Sequence, residues 1–226
     1  MLSTVLGIDT ATEWASVALY DAETGARAEY TWYTSMNHTV ELMPAVVQIL
    51  ERQRMAPEHL DGVAVALGPG SFTGLRIGLS VAKGLCLSLG IPIVGIPTLD
   101  IVAYAHYGQN LPICAILQAG RGRICVAFYE KRETEWRRTD DYHLADVEEL
   151  NARVKVPTLF CGEIDASLKA ALESQLGERA VVASPASSLR RAGYLAELGW
   201  RRLRTGRGDD LASLEPLYLH YPQIGD

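Results

Sequence analysis

Missing from the sequence are the features that settle a chemistry at once. It has no CxxC pair, no Gly-Lys-Ser/Thr phosphate loop and no Gly-x-Ser-x-Gly nucleophile turn. Its four cysteines, Cys86, Cys114, Cys125 and Cys161, are scattered through apolar runs. That pattern argues against a zinc ribbon or a disulfide framework and fits small buried hydrophobes in a reducing compartment. No leader pattern opens the chain, and no apolar run approaches the roughly 20 residues that span a bilayer. The expectation is therefore a cytoplasmic protein with no membrane partner. Positive charge is short as well, with 21 Lys and Arg against 27 Asp and Glu and a formal net charge of −6. Nucleic-acid affinity rests largely on neutralising phosphates, so the chain is not built to hold nucleic acid by itself. What remains is an ordinary globular composition over 226 residues, long enough to bury a core without disulfides or metals.

Periodicity supplies the organisation. Thr4 to Asp9 reads as a buried strand, and Ala15 to Tyr20 and Ala26 to Tyr33 as two more, joined by short turns. A helix is expected over Thr39–Gln53, with Pro44 near its start, so the regular part begins near Met43 or bends there. Gly62 to Leu67 is a strand, Thr73 to Leu89 a helix, and Ile93 to Ile96 a strand, with a helix from Pro97-Thr98 to about Tyr107. The second half repeats the order. Strands are expected at Pro112–Gln118, Ile124–Glu130, Thr134–Arg138 and Pro157–Cys161. Helices are expected at Asp146–Asn151, Asp165–Leu176 and Ser187–Arg204. A strand-strand-strand-helix-strand-helix pattern that appears twice implies an α/β fold of two similar lobes. Each lobe is a mixed sheet with flanking helices, as in the duplicated ribonuclease H-like, actin-like (ASKHA) architecture. The polar break Gly108-Gln109-Asn110 divides it into residues 1–108 and 109–226.

The most informative segment is Gly68-Pro69-Gly70-Ser71-Phe72-Thr73-Gly74-Leu75-Arg76-Ile77-Gly78, between a strand and a helix. Free backbone N–H groups at such a place can hold an anion, so Asp9, Thr10, Gly68, Gly70 and Ser71 are candidate contacts for a nucleotide phosphate. A tight strand-to-helix turn with Thr73 as N-cap, and an Asx-type turn at Asp9-Thr10, account for the same residues without a ligand.

The helix that follows carries two stripes. Leu75, Leu79, Ala82, Cys86 and Leu89 recur at steps of four and three, and so do Gly74, Gly78, Val81, Leu85 and Ser88. One stripe can face the home sheet. The other, small and smooth, suits a closely approaching helix of another chain, or else a helix buried wholly in its own domain. Interior glycines at 78 and 84 each cost about 1 kcal/mol relative to alanine, which packing must offset. The expected partner interface is Leu42, Met43, Val46, Phe72, Gly74, Leu75, Gly78, Val81 and Leu85.

Val5-Leu6-Gly7-Ile8-Asp9-Thr10-Ala11-Thr12 with Ser16-Val17-Ala18-Leu19, the Gly68–Gly78 loop, and Glu215-Pro216-Leu217-Tyr218-Leu219 together resemble the TsaB (YeaZ) family. The resemblance implies a non-catalytic paralogue of TsaD, the subunit that installs threonylcarbamoyl on N6 of adenosine 37 in tRNAs reading ANN codons. It further implies docking on TsaD through the first lobe's helices, a homodimer when alone, TsaE as an ATPase partner, and tRNA contact through the complex. No cofactor of its own is implied beyond a nucleotide held at a subunit interface.

Several residues depart from that pattern. His38 is followed at the spacing of TsaD's paired metal histidines by Leu42, and one imidazole is not a metal site. Gln118-Ala119-Gly120-Arg121 stands where most family members keep an aspartate, and His220 replaces an arginine after the Tyr-Leu ending. The other histidines, His59, His106 and His143, show no ligand spacing. Arg190, Arg191, Arg201, Arg202, Arg204 and Arg207 form a basic run that reads either as a tRNA-phosphate contact or as a solvated helix face. The competing function is an independent actin-fold ATPase or kinase, or a peptidase. No complete acid–base pair, triad or metal cluster supports one.

Overall fold

The computed structural model describes residues 2–35, 37–120, 122–133 and 135–219. Its chain contacts divide into two units. The first holds β1 (Thr4–Asp9), β2 (Trp14–Asp21), β3 (Gly25–Tyr33), α1 (His38–Arg52), β4 (Gly62–Gly68), α2 (Phe72–Leu89) and β5 (Ile93–Pro97). Its sheet has the order β3-β2-β1-β4-β5, antiparallel through the first three strands and parallel from β1 to β4 and β5. Helix α3 (Thr98–Tyr104) follows. The second unit holds β6 (Ile113–Gln118), β7 (Ile124–Arg132), β8 (Glu135–Arg138), β9 (His143–Ala145), α4 (Val147–Arg153), β10 (Thr158–Gly162), α5 (Ala166–Leu176) and β11 (Ala180–Val182). Its sheet runs β11-β10-β6-β7-β8, again antiparallel on one side and parallel on the other, with β9 added on β7. The duplicated actin-like, ribonuclease H-like architecture expected from the pattern is therefore present.

Alternation along the strands explains why the first sheet takes helices on both faces. Leu6, Ile8, Val63 and Val65 join Leu42, Val46, Ile49, Leu79 and Ala82 of α1 and α2 in one cluster. Val5, Ala64, Ala66 and Val94 point the other way and join Leu195, Ala196 and Leu203. Those last residues belong to α6 (Ala192–Leu203), which lies close against the sheet. A Cβ on Gly199 would sit 2.3 Å from the Ala64 Cβ, and one on Gly7 would sit 2.7 Å from the Ala192 carbonyl oxygen. Small residues at this contact are what let α6 approach, since overfilling such a site costs about 1–3 kcal/mol.

This packing changes the expected domain division. Among the described residues, the first unit is 2–101 with Arg190–Leu217, and the second is Val102–Leu189 with Tyr218 and Leu219, not 1–108 and 109–226. The polar break at Gly108 lies inside the second unit. The helix assigned to the second lobe is needed to cover the open face of the first sheet. It is also interrupted. A 3-10 turn spans Pro185–Ser188, Leu189 and Arg191 are extended, and α6 starts at Ala192.

Local boundaries shift too. Helix α1 begins at His38, one residue before the expected Thr39, and is helical from there through Pro44 without waiting for Met43. Helix α2 is capped by Ser71, whose hydroxyl accepts from the Gly74 N–H at 3.2 Å, and not by Thr73. At 18 residues α2 is long and apolar enough, by length and composition, to cross a bilayer. It lies instead along the sheet, with Leu75, Leu79, Ala82 and Cys86 buried.

Candidate functional site

The five candidate phosphate contacts lie in the β1–β2 turn and at the β4–α2 junction, and each is engaged by other residues of the first unit. Asp9 is fully buried. Its Oδ1 accepts from the Ala11 N–H at 2.9 Å, and its Oδ2 accepts from Arg190 Nε at 2.9 Å. Arg190 also donates through Nη2 to Thr12 Oγ1 at 2.6 Å. Thr10 Oγ1 donates to the Gly74 carbonyl at 2.7 Å, and the Ser71 N–H donates to the Ala11 carbonyl at 2.6 Å. The Gly68 N–H reaches Thr98 Oγ1 at 3.1 Å, and the Leu217 N–H reaches the Leu67 carbonyl at 2.7 Å. His38 closes the other side, with Nε2 2.8 Å from the Thr12 carbonyl.

The glycines of the loop answer to the same packing. A Cβ on Gly70 would lie 2.3 Å from the Ala11 carbonyl, one on Gly74 2.1 Å from the Thr10 carbonyl, and one on Gly78 2.2 Å from Thr10 Oγ1. The β1–β2 turn therefore rests directly on the first two turns of α2. The cation facing Asp9 is supplied by the chain itself. A buried carboxylate so paired contributes order, and removing one partner of such a pair costs about 3–5 kcal/mol. Sequence reading missed Arg190 in this role because 181 positions separate it from Asp9.

The remaining candidates are placed as follows. Gln118 ends β6, where its backbone N–H donates to Glu163 Oε2 at 2.9 Å and its side-chain amide donates to the Glu163 carbonyl at 3.3 Å. The basic run is largely partnered. Arg191 pairs with Glu29 at 3.0 Å, Arg201 with Glu197 at 2.7 Å, and Arg202 with Asp209 at 3.0 Å. Arg204 lies over Trp200, and Arg207 donates to Thr205 Oγ1. His220 lies outside the described residues, as does Arg121. Among the described residues no three His, Cys, Asp or Glu side chains converge as a metal set. All four thiols are buried and free. Burial pushes Cys86 up to about 12 and Cys125 up to about 11. It raises Cys114 and Cys161 as well, so none is a poised thiolate.

What the first unit does present is an exposed apolar face on α1 and α2. Val40 is 69% exposed, and Met43 and Val47 are exposed beside it on α1. Phe72, 46% exposed, and Leu87 lie on α2. Between the two helices runs a groove of about 440 Å³ lined by Thr39, Phe72, Thr73, Arg76, Ile77, Ser80 and Val81. Arg76 stacks its guanidinium 3.7 Å from the centre of the Phe72 ring.

This face corrects much of the expected interface. Leu42, Val46 and Leu75 are each 1% exposed and belong to the chain's own core. Gly74 and Gly78 are buried under Thr10, so the glycine stripe is closed, not open to a foreign helix. Val81 and Leu85 are half-buried, while Met43 and Phe72 are accessible. Two stripes of equal spacing cannot be ordered by periodicity alone. The small residues at 74 and 78 serve a loop of the same lobe, and a third stripe, Phe72-Arg76-Ser80, carries the outer face.

Comparison with known proteins gives a consistent family. Residues 33–218 match the family described as TsaD, tRNA N6-adenosine threonylcarbamoyltransferase. The Bacillus subtilis tRNA threonylcarbamoyladenosine biosynthesis protein TsaB is 34% identical over 219 residues, covering 96% of this chain and 93% of the relative. The Escherichia coli protein of the same name is 36% identical over 132 residues, 57% of this chain and 56% of that one. YeaZ from Pseudomonas aeruginosa superposes with a TM-score of 0.78 at 27% identity, over 96% of this chain and all of that structure.

Proposed function

The chain belongs to the TsaB family, and from that premise we propose that it is a non-catalytic subunit that docks TsaD in the threonylcarbamoylation of tRNA adenosine 37. A role in tRNA threonylcarbamoyladenosine biosynthesis follows from the family. The docking role is supported by one observation above the others. The first unit leaves Val40, Met43, Val47, Phe72 and Leu87 in solvent on two adjacent helices. Apolar side chains gathered beside a groove in this way mark an interaction surface. The pairing of Asp9 with Arg190, and of Ser71 with Ala11, supports a supporting role rather than turnover by this chain. TsaE, tRNA and any nucleotide would then join through the assembled complex in the cytoplasm, and the same face would pair two copies when TsaD is absent.

The test is a binding measurement between the purified chain and TsaD. Met43→Glu and Val47→Glu place charges on the exposed face of α1, and each should abolish a stable heterodimer in gel filtration while leaving thermal stability within a degree or two. Threonylcarbamoylation by the reconstituted complex should fall with binding. If both variants bind TsaD at full strength, the docking face lies elsewhere. Turnover of a nucleotide by the isolated chain, lost in Asp9→Ala at unchanged stability, would overturn the non-catalytic reading.

A further inference from the structure

The lining of the groove between α1 and α2 starts at the first turns of both helices. Thr39 stands one residue inside α1, and Phe72, Thr73 and Arg76 lie in the first two turns of α2. Farther along, Leu42, Val46 and Ile49 of α1 share a core cluster with Leu79 and Ala82 of α2, which sets the spacing there. The starts of the helices are held by the turn between β1 and β2, which touches both. Thr10 Oγ1 donates to the Gly74 carbonyl at 2.7 Å, and the Ala11 carbonyl accepts from the Ser71 N–H at 2.6 Å. Phe72 and Thr73 lie between those two contacts. On the other side, the Thr12 carbonyl is 2.8 Å from His38 Nε2. A carbonyl oxygen only accepts, so this ring nitrogen carries the proton. His38 is the first residue of α1, immediately before Thr39, and Asn37 at the N-cap makes no side-chain capping bond. The turn is fixed in its own right, because Asp9 Oδ1 accepts from the Ala11 N–H and Arg190 donates to Thr12 Oγ1.

We propose that Thr10 and His38 are positioning residues for the docking of TsaD, setting the distance between the two walls of the groove through the β1–β2 turn. The inference rests on the docking reading above and adds a determinant of affinity that the partner never touches. Thr10 is 1% exposed and His38 4%, so neither side chain is available to another chain. A surface already held in its bound arrangement loses less ordering free energy on binding. The Thr10 contact leaves little room for adjustment. A methyl group needs about 3.3 Å or more from a carbonyl oxygen. Thr10→Val therefore removes the bond to Gly74 and pushes the first turn of α2 outward.

Binding of the full-length chain to TsaD is measured by fluorescence anisotropy at a temperature where every variant is fully folded. Thr10→Val and His38→Leu should each weaken binding by about 2- to 30-fold, the range for changes that act on a site without contacting its ligand. Thr10→Ser keeps the hydroxyl and His38→Gln keeps an N–H at similar reach, so both should retain most of the affinity. Leu168→Ala trims the core of the second unit and lowers the melting temperature without touching the turn, so it should bind as the wild type does. Hydrogen exchange at the Ser71 amide should quicken in Thr10→Val and not in Leu168→Ala. The proposal is overturned if Thr10→Val and His38→Leu bind TsaD as tightly as the wild type, or if Leu168→Ala weakens binding as much as they do. If His38→Leu fails to fold, Thr10→Val and Thr10→Ser decide alone. Failure of the wild-type chain to bind TsaD, or full-strength binding by Met43→Glu and Val47→Glu, overturns the docking reading instead. A failed positioning role is told apart, because charges on the exposed face then abolish binding while variants of the buried turn do not.

Discussion

Replacing Arg190 with methionine should be among the most damaging single changes in the first unit. The guanidinium is 5% exposed and the Asp9 carboxylate 1%, with 2.9 Å between Nε and Oδ2. Methionine has a similar length and no charge. Arg190→Met therefore strands a buried anion that keeps the Ala11 N–H as a donor. The cost of breaking such a pair is about 3–5 kcal/mol. For a chain of this length about 1 kcal/mol moves the melting temperature by roughly 2–4 °C, so the drop should be on the order of 10 °C. Tryptophan fluorescence suits the assay, because Trp14, Trp32 and Trp200 all lie in the first unit and Trp136 alone in the second. The double variant Asp9→Leu with Arg190→Met removes both charges and should recover most of the loss, since a buried pair exchanged for apolar groups is often neutral. A shift below about 2 °C in the single variant, or a double variant with additive losses, would refute the account.

Other outcomes follow from the same geometry. Gly78→Ala puts a methyl 2.2 Å from Thr10 Oγ1 and should destabilise by about 1–3 kcal/mol in urea unfolding. Gly84→Ala, with nothing within 4 Å, should stabilise by about 0.5–1 kcal/mol in the same series. Cys86 has a folded value near 12 against an ordinary 9.0, so its share of stability is present below pH 9 and lost as pH rises toward 12. Unfolding titrations over that window should fall less steeply for Cys86→Ala. Thiol reagents at pH 8 should label the native chain at the rate of unfolding and not faster. Asp209→Ala removes the acceptor of the Gly95 N–H at 2.7 Å and of Arg202 at 3.0 Å, and hydrogen exchange at Gly95 should quicken.

Strands and helices of the first unit were legible because their apolar positions alternate or recur within a few residues. β1 to β5, α1 and α2 each emerge within one or two residues of their observed ends. The second unit was legible to the same depth except for β9 and β11, three-residue strands too short to carry a period. The ownership of α6 was not legible. Its spacing shows that a face is buried, but Ala192, Leu195 and Ala196 say nothing about which sheet they bury against. The candidate site failed for a related reason. Periodicity places Leu75 and Gly74 on neighbouring stripes with equal claim to the surface. Only the Thr10 turn, more than 60 positions earlier, decides that both face inward. Phe72 and Met43 were expected on the interface and are accessible, whereas Arg76 was read as part of a loop signature, and its place on the outer face depends on that same decision.

The return of α6 to the first sheet bears on how the chain is made. A ribosome releases β1 to β5 long before it reaches Ala192, and the sheet face carrying Val5, Ala64 and Val94 has no cover until then. The main run of the second unit, Val102–Leu189, leaves the ribosome before the Arg190–Leu217 segment that returns to the first. Premature termination anywhere before residue 203 should leave a nascent product with a bare apolar sheet, suited to chaperone capture or degradation rather than to partial activity.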